Sequence, residues 1–227
     1  MERETCWTLI EAAGDGDGRA REDFAALYLP AIRAYLLARW GSSALVEEVD
    51  DAQQEVFVEC LKDGGVLERV QRGAASGFRG YLYGVVRNVA QRVEERGRRR
   101  ADRLERGTFH AEFQPDDERS LSQAFDRAFA IGVLRAALRL HQEAARAHGG
   151  RQAARFELLR QRFGEGKSIA VIAEQGGQDA AFLHHEYATA RREFHRHLLQ
   201  IVGSQHPGAT AAQIELESER LVELIDE

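Results

Sequence analysis

Closely spaced arginines with an interleaved tyrosine, between residues 78 and 103, are the groups in this sequence best suited to bind a polyanion. The segment has eight arginines and three acidic residues, a local charge of +5 in a 227-residue chain whose formal net charge is −6. Guanidinium groups bind phosphate through paired hydrogen bonds, and an aromatic ring between them can stack on an unpaired base. The segment therefore favours a nucleic-acid-binding surface. The structural alternative is an amphipathic helix with a solvated arginine-rich end.

Apolar side chains at helical spacing predict that this segment is one helix with a buried face, formed by Phe78, Tyr81, Leu82, Val85, Val86, Val89 and Val93. We expect Ser76 to cap the helix and the preceding loop, Gly73–Gly77, to be exposed. The candidate nucleic-acid contacts lie off the buried face. They are Arg79, Tyr83, Arg87, Asn88, Arg92, Arg96, Arg99 and Arg100.

An acidic face is predicted on the preceding helix, which spans Leu45 to Leu61. This face consists of Glu48, Asp51, Glu55 and Glu59, spaced three or four residues apart. Carboxylates that share a helix face repel one another. The acidic face is either a solubilising surface or a surface that docks on a basic partner helix, and the sequence leaves both interpretations open.

The periodicity of the whole chain is helical and strand-like alternation is nearly absent, so we predict an all-α fold. Residues 106–120 show little periodicity and are expected to link two small helical domains, residues 1–105 and residues 121–203. Residues 204–227 form a C-terminal extension, in which Thr210-Ala-Ala-Gln213 predicts a capping box and a short terminal helix.

A helix-turn-helix arrangement is predicted near the end of the second domain. Ser168 to Gln175 suits a short helix, Gly176 and Gly177 suit a turn, and Asp179 can cap a longer helix. The inward-facing residues of the longer helix are Leu183, Tyr187, Ala190, Phe194 and Leu198. This spacing is typical of DNA-binding helix-turn-helix units, although helical bundles that do not contact DNA share it.

Cysteine and histidine patterns predict neither a metal site nor catalysis. Cys6 and Cys60 lack a second cysteine or a histidine at zinc-finger spacing. The histidines do not combine with carboxylates in a metal-binding or acid–base layout. They include His141, His148, His184, His185, His195 and His197. We expect no enzyme activity, no catalytic residue, no metal and no cofactor. The acidic N-terminus and the lack of a long apolar run predict a cytoplasmic protein without membrane association.

Three motifs follow one another along the chain. They are Asp51-Ala-Gln-Gln54-Glu55-Val-Phe57, then Phe78-Arg79-Gly-Tyr81-Leu82 with Arg87-Asn88, then Phe163-Gly-Glu-Gly166 with Ser168-Ile169, Ile172-Ala173 and Ala190-Arg191-Arg192. In this order they resemble regions two and four of an alternative sigma factor of bacterial RNA polymerase, of the extracytoplasmic-function class, over roughly residues 5 to 203. The resemblance implies a non-catalytic protein that recruits core RNA polymerase to promoter DNA.

The resemblance also implies roles for particular residues. The acidic helix would dock on the basic coiled coil of the polymerase β′ subunit, and the β flap would be a further polymerase contact. The residues implied in polymerase binding are Glu48, Asp51, Gln54, Glu55 and Glu59. The arginine-rich helix would hold the melted minus-ten element of promoter DNA. The helix from Asp179 would enter the major groove at the minus-thirty-five element. Its implied contacts are Asp179, Ala181, His184, His185, Arg191 and Arg192.

The sequence departs from the family pattern in three places. The first turns of the second helix, residues 180–186, have no arginine, so guanine contacts by arginine are not expected there. His184 and His185 either contact bases or are ordinary surface residues. Arg92 stands where the family usually has an acidic residue. The extension after Gly203 resembles the tail of a subset linked to Ser/Thr kinases, which adds an anti-sigma factor or such a kinase to the implied partners.

Two hypotheses follow. The first is a sigma factor with the partners described above. The second is a sigma-like adaptor that binds polymerase or a regulatory partner without sequence-specific contacts at the minus-thirty-five element. Both assume that opposite charges are segregated on two neighbouring helices, with the acidic face toward an enzyme and the basic face toward opened DNA.

Overall fold

The computed structural model describes residues 6–62, 65, 77–103, 115–206 and 208–226, and every regular element within them is helical. The all-α prediction is confirmed for these residues. The elements are α1 Cys6–Gly14, α2 Gly18–Trp40, a 3-10 helix Ala44–Glu48, α3 Val49–Leu61, α4 Gly77–Arg103, α5 Pro115–His148, α6 Gly150–Phe163, α7 Ile169–Gly176, α8 Ala180–Gln205 and α9 Ala211–Asp226. None of the helices in these ranges is long and apolar enough to cross a membrane.

The chain divides into two compact units. The first comprises Met1–Gly132 together with Gly203–Glu227, and the second comprises Val133–Val202. The division falls inside α5 and α8, so it lies later than the expected boundary at residues 106–120. The C-terminal extension belongs to the first unit.

The prediction of a linker over residues 106–120 is wrong at its C-terminal end. Residues 115–120 form the first turns of α5, which begins with Pro115. Proline is favoured at the first helical position because its missing N–H is not needed there and its φ angle suits a helix. Residues 106–114, Ser76 and the loop residues 73–76 lie outside the described residues.

Aromatic packing around α2 forms the core of the first unit. The Phe78 ring of α4 lies 5.6 Å from the ring of Phe24 and 5.1 Å from that of Tyr28, measured between centroids. The ring of Tyr28 also stacks on Phe129 of α5 at 5.8 Å. A Cβ atom at Gly132 would lie 2.6 Å from the carbonyl oxygen of Leu27, so only glycine permits this approach of α5 to α2.

A nearly buried ion pair joins α2 to α4. The side chain of Arg39 is 4% exposed, and its Nε and Nη2 donate to Glu94 at 2.6 and 3.0 Å. The indole nitrogen of Trp40 donates to the same carboxylate at 2.9 Å. Because a buried guanidinium needs a counter-charge, Glu94 fixes how α4 lies against α2.

Cys60 lies on the inner side of α3, where it is 1% exposed. Burial raises the pKa of its thiol to about 12, with a smaller contribution from the charge of Glu59. The thiol is therefore protonated and unreactive at neutral pH while α3 is in place.

The predicted order of short helix, turn and longer helix is present in the second unit. Ser168 caps α7 by accepting from the N–H of Val171 at 3.2 Å, and Gly177 ends it in the left-handed conformation with φ 59°. That φ favours glycine at this position. The buried cluster that joins α6, α7 and α8 comprises Leu158, Ile169, Ile172, Ala173 and Leu183, with Ala180 and Tyr187 packed against it.

The C-terminal helix α9 begins with the predicted capping box. The backbone N–H of Thr210 donates to Gln213 Oε1 at 2.8 Å, and the N–H of Gln213 donates to Thr210 Oγ1 at 3.3 Å. The side chain of Ile214 packs against Gly203, where an added Cβ would lie 3.1 Å away. Near the other end of α9, Arg127 of α5 donates to the carbonyl oxygen of Ile225 at 3.2 Å.

Replacement of Glu94 by glutamine should destabilise the protein by on the order of 3 kcal/mol, because Arg39 would keep its charge in a nearly buried site. Chemical unfolding measures this change. Glu95→Gln is the matched control, since Glu95 pairs with the exposed side chains of Arg98 and Arg99, and the control should change stability by less than about 1 kcal/mol. Equal effects of the two substitutions would contradict the structural role of Glu94.

Candidate nucleic-acid interface

Most of the apolar face predicted for α4 is buried. Its fully buried members are Phe78, Leu82, Val86, Val89 and Val93. Tyr81 departs from the prediction, because 40% of it is exposed on the outer side of the helix. Val85 is half-buried beside it. Tyr81 therefore becomes a candidate contact that helical spacing had assigned to the core.

One side of α4 is covered by α5. Arg79 pairs with Asp126 at 2.5 Å, and the hydroxyl of Tyr83 donates to Glu118 at 2.9 Å. The Tyr83 ring packs edge-on against the rings of Tyr35 and Phe125, each 5.4 Å away between centroids. Burial raises the pKa of the Tyr83 hydroxyl, and the hydrogen bond to Glu118 raises it further.

These contacts correct the expected accessibility of Tyr83. We expected its ring to face solvent, where an unpaired base could stack on it, but α5 begins early enough to pack over it. Arg87, next along this side, is exposed and lies 3.5 Å from Glu118. Asn88 is exposed as well.

The other side of α4 pairs with the acidic face of α3. Arg92 lies 3.2 Å from Glu55 and 3.1 Å from Glu59, and Arg96 lies 2.6 Å from Glu55. Lys62 lies 2.7 Å from Glu59. Hydrogen bonds from Lys62 and Arg92 lower the pKa of the Glu59 carboxyl, and the bond to Glu55 raises the pKa of Arg96.

The prediction that opposite charges are segregated is therefore wrong for the C-terminal half of the acidic face, which comprises Glu55 and Glu59. Helices α3 and α4 pack side by side, so the carboxylates of one helix meet the guanidinium groups of the other. The basic partner helix that could relieve the repulsion on α3 lies in the same chain. We call these contacts the α3–α4 ion pairs, namely Arg92–Glu55, Arg92–Glu59 and Arg96–Glu55.

The N-terminal half of the acidic face is open. Asp51 and Gln54 are exposed, and Glu48 is half-buried where the 3-10 helix meets α3. The neighbouring Asp50, outside this face, pairs with Arg33 of α2. Of the residues expected to bind polymerase, the first three thus remain accessible, while Glu55 and Glu59 are engaged.

An open groove of about 730 Å³ runs along the outer side of α4. It is lined by Glu59, Tyr81, Val85, Asn88, Gln91, Arg92, Glu95, Arg96 and Arg99. Arg99 pairs with Glu95 at 2.9 Å within the helix, and Arg100 is exposed nearby. The groove combines an accessible aromatic ring, amide groups and guanidinium groups, which can stack on a base, hydrogen-bond to it and bind phosphate. Sequence reasoning missed Tyr81 and Gln91.

The first turn of α8 is held by its capping residue. The carboxylate of Asp179 accepts from the backbone N–H groups of Ala181 and Phe182 at 3.3 and 3.2 Å. Asp179 is therefore the N-terminal cap of α8. The side chains at the other positions expected to contact DNA are exposed, and they are Ala181, His184, His185, Arg191 and Arg192.

Glu186 is turned away from this exposed surface. It is 4% exposed and accepts from Arg151 at 2.5 and 2.9 Å and from Arg155 at 2.9 Å. Arg155 also donates to Glu193 at 2.8 Å. Hydrogen bonds from Arg151 and then Arg155 lower the pKa of the Glu186 carboxyl to about 2. This network ties α6 to α8 and orients the second helix of the helix-turn-helix.

Two histidines that the sequence did not connect lie together in the second unit. The imidazole rings of His141 and His197 are 5.3 Å apart between centroids, and burial lowers the pKa of both. No group of three or more metal-binding side chains occurs within the described ranges. The two residues come from different helices, so no local spacing predicted the contact.

Comparison of the chain with protein-family models, with curated proteins and with solved structures gave no match.

Replacement of Glu186 by glutamine should lower the free energy of unfolding by roughly 2 kcal/mol at pH 7. A carboxylate whose folded pKa is about 2, against an ordinary value of 4.5, stabilises the fold above pH 4.5 and loses this contribution as the pH falls toward 2. The difference between wild type and variant should therefore shrink across that window, as measured by urea unfolding at several pH values.

Glu157→Gln is the control for this experiment. The pKa of the Glu157 carboxyl is also about 2, but it pairs with Arg160 on the surface of α6, where solvent screens the charges. The control should change stability less. A Glu186 variant with no effect at neutral pH would contradict the role of the network.

Proposed function

We propose that this chain is a sigma-type transcription initiation factor, which binds core RNA polymerase and directs it to promoter DNA. The observation that carries the proposal is the helix-turn-helix of the second unit. Residues 133–202 contain eleven basic and seven acidic residues, a net +4 in a chain of −6. A basic unit that exposes the first turns of its second helix suits the major groove of DNA.

The first unit supports the proposal through the groove on α4. Its accessible tyrosine, its amides and its arginines suit an unpaired DNA strand better than a duplex, because the ring can stack only on a base that is free of its partner. The helix that carries the groove is also the helix that resembles the minus-ten-binding segment of the family. We assign the melted strand to this groove, with Tyr81 in the stacking role first expected of Tyr83.

The α3–α4 ion pairs are compatible with binding because they are weak. The side chains of Arg92 and Arg96 are 49% and 59% exposed, and pairs of this kind contribute about 0.2–1 kcal/mol each. Phosphate groups can replace Glu55 and Glu59 as partners of these arginines. A basic surface of polymerase can then form ion pairs with the released carboxylates of Glu55 and Glu59.

The second candidate is the sigma-like adaptor without sequence-specific contacts at the minus-thirty-five element. The first turns of α8, residues 180–186, carry no arginine or lysine, and this observation favours the adaptor. The two functions differ in one property, because only a sigma factor should bind duplex DNA through the second unit with a preference for particular base pairs.

Run-off transcription with core RNA polymerase and a library of promoter templates tests the proposal. We expect transcripts that start at a defined site and depend on the added protein. Co-purification with polymerase but no specific transcript would support the adaptor. Neither binding nor transcription would refute both functions.

Asp51→Lys should weaken binding to core polymerase about tenfold or more, because it places a cation where a basic partner is expected. Asp51 is exposed, so the fold should persist. Glu55 is a poor probe, since a lysine there would face Arg92 and Arg96. Asp23→Lys, on an exposed site of α2, is the charge-matched control. Equal co-purification of both variants would remove α3 from the polymerase interface.

Replacement of Arg96, Arg99 and Arg100 by alanine should flatten the salt dependence of single-stranded DNA binding. Fewer counterions are released from DNA when fewer phosphates are contacted, and the slope of log K against log salt should fall by about 2. The control replaces three exposed arginines outside α4, namely Arg19, Arg33 and Arg220. An unchanged slope in the first variant would exclude the end of α4 from the DNA interface.

A further inference from the structure

The first turn of α8 exposes a large aromatic side chain. Phe182 is 46% exposed, whereas the adjacent Leu183 is buried in the core of the helix-turn-helix. The guanidinium carbon of Arg151 lies 5.9 Å from the centroid of the Phe182 ring, so a neighbouring cation packs on the ring. The Phe182 ring is not needed to fill the core of the unit, and it shares the exposed face of α8 with Ala181 and His185, where a binding partner can reach it.

The two carboxylates in the first turns of α8 have other partners. The carboxylate of Asp179 accepts from two backbone N–H groups of the first turn, and Glu186 is held by Arg151 and Arg155. The exposed surface that remains on the first turns is mainly apolar and imidazole. It is formed by Ala181, Phe182, His184, His185 and Ala188.

The chemistry of this surface matches one kind of base pair. In the major groove, thymine presents a C5-methyl group that alanine and phenylalanine can contact, whereas guanine is selected mainly by arginine or lysine. An imidazole can donate to N7 of adenine. Arg191 and Arg192 are exposed further along α8 and can hold the DNA backbone.

We propose that Phe182 and Ala181 form a thymine-methyl contact surface, and that α8 selects A·T base pairs in the major groove. This inference rests on the proposed function, since it requires the second unit to enter duplex DNA. It specifies that the second unit prefers duplexes with A·T base pairs, and it assigns this preference to Phe182. It also explains how a recognition helix without arginine in its first turns can still discriminate between base pairs.

The experiment uses the full-length chain, alone and with core polymerase, and a pool of duplexes with a randomised core of about eight base pairs. Selected sequences should be enriched in A·T pairs. They are then remade with uracil in place of thymine, which removes only the methyl groups. We expect affinity to fall about fourfold for each methyl group that the protein no longer touches.

Phe182→Ala should bind the thymine duplex as weakly as wild type binds the uracil duplex and should no longer distinguish the two. Leu138→Ala is the control, because Leu138 is a 41% exposed apolar side chain of α5 in the same unit, and its removal should leave the discrimination intact. Rescue by Phe182→Leu, which keeps an apolar side chain at this position, would separate methyl recognition from a failure to fold.

The possible failures are distinct. Equal affinity for thymine and uracil duplexes, or discrimination that survives in Phe182→Ala, overturns the inference and leaves the sigma-type function standing. Enrichment of G·C pairs overturns it in the same way. If no duplex is bound under either condition, the inference fails, and run-off transcription then decides whether the sigma-type function fails with it.

Discussion

Pairing of carboxylates with arginines between neighbouring helices is the interaction on which the first unit depends. The same chemistry has different consequences at different depths. Arg39 and Glu94 are largely removed from solvent, so their pair fixes α2 against α4 and cannot be exchanged cheaply. Arg92 and Arg96 meet Glu55 and Glu59 at the surface, where water competes for every contact. Depth therefore separates the arginines that hold the fold from those that are available to a ligand.

The second unit follows the same rule. Glu186 is withdrawn from the surface by Arg151 and Arg155, and this both locks α6 to α8 and removes a negative charge from the exposed face of the first turns of α8. What remains exposed on the first turns is mainly apolar and imidazole. The absence of arginine there, which counts against a standard guanine contact, is consistent with a preference for methyl groups. One buried carboxylate thus shapes both the stability of the unit and the chemistry of its exposed surface.

Local signals in the sequence were sufficient for the course of α4 and for two of the helix caps, but not for the start of α5, which begins inside the expected linker. Helical spacing predicted α4, and Asp179 and Thr210 predicted two caps, because a cap depends on residues within one turn. The surroundings of α4 could not be predicted in this way. Tyr83 contacts Glu118 and Arg79 contacts Asp126 across 35 and 47 residues, and no local pattern shows which side of α4 receives α5. For the same reason Tyr81 was assigned to the core and Tyr83 to the surface.

The buried thiol of Cys60 provides a way to measure how often α3 opens from the core. A reagent that needs a thiolate cannot modify a sulfur with a pKa of about 12 inside the core, so the rate of modification measures how often α3 lifts away. Cys60 follows Glu59 directly in the chain, and Glu59 faces Arg92. If a bound strand competes for Arg92, α3 loses this ion pair, and the sulfur of Cys60 should then be alkylated faster. The rate of alkylation would therefore report binding on the opposite side of the helix pair.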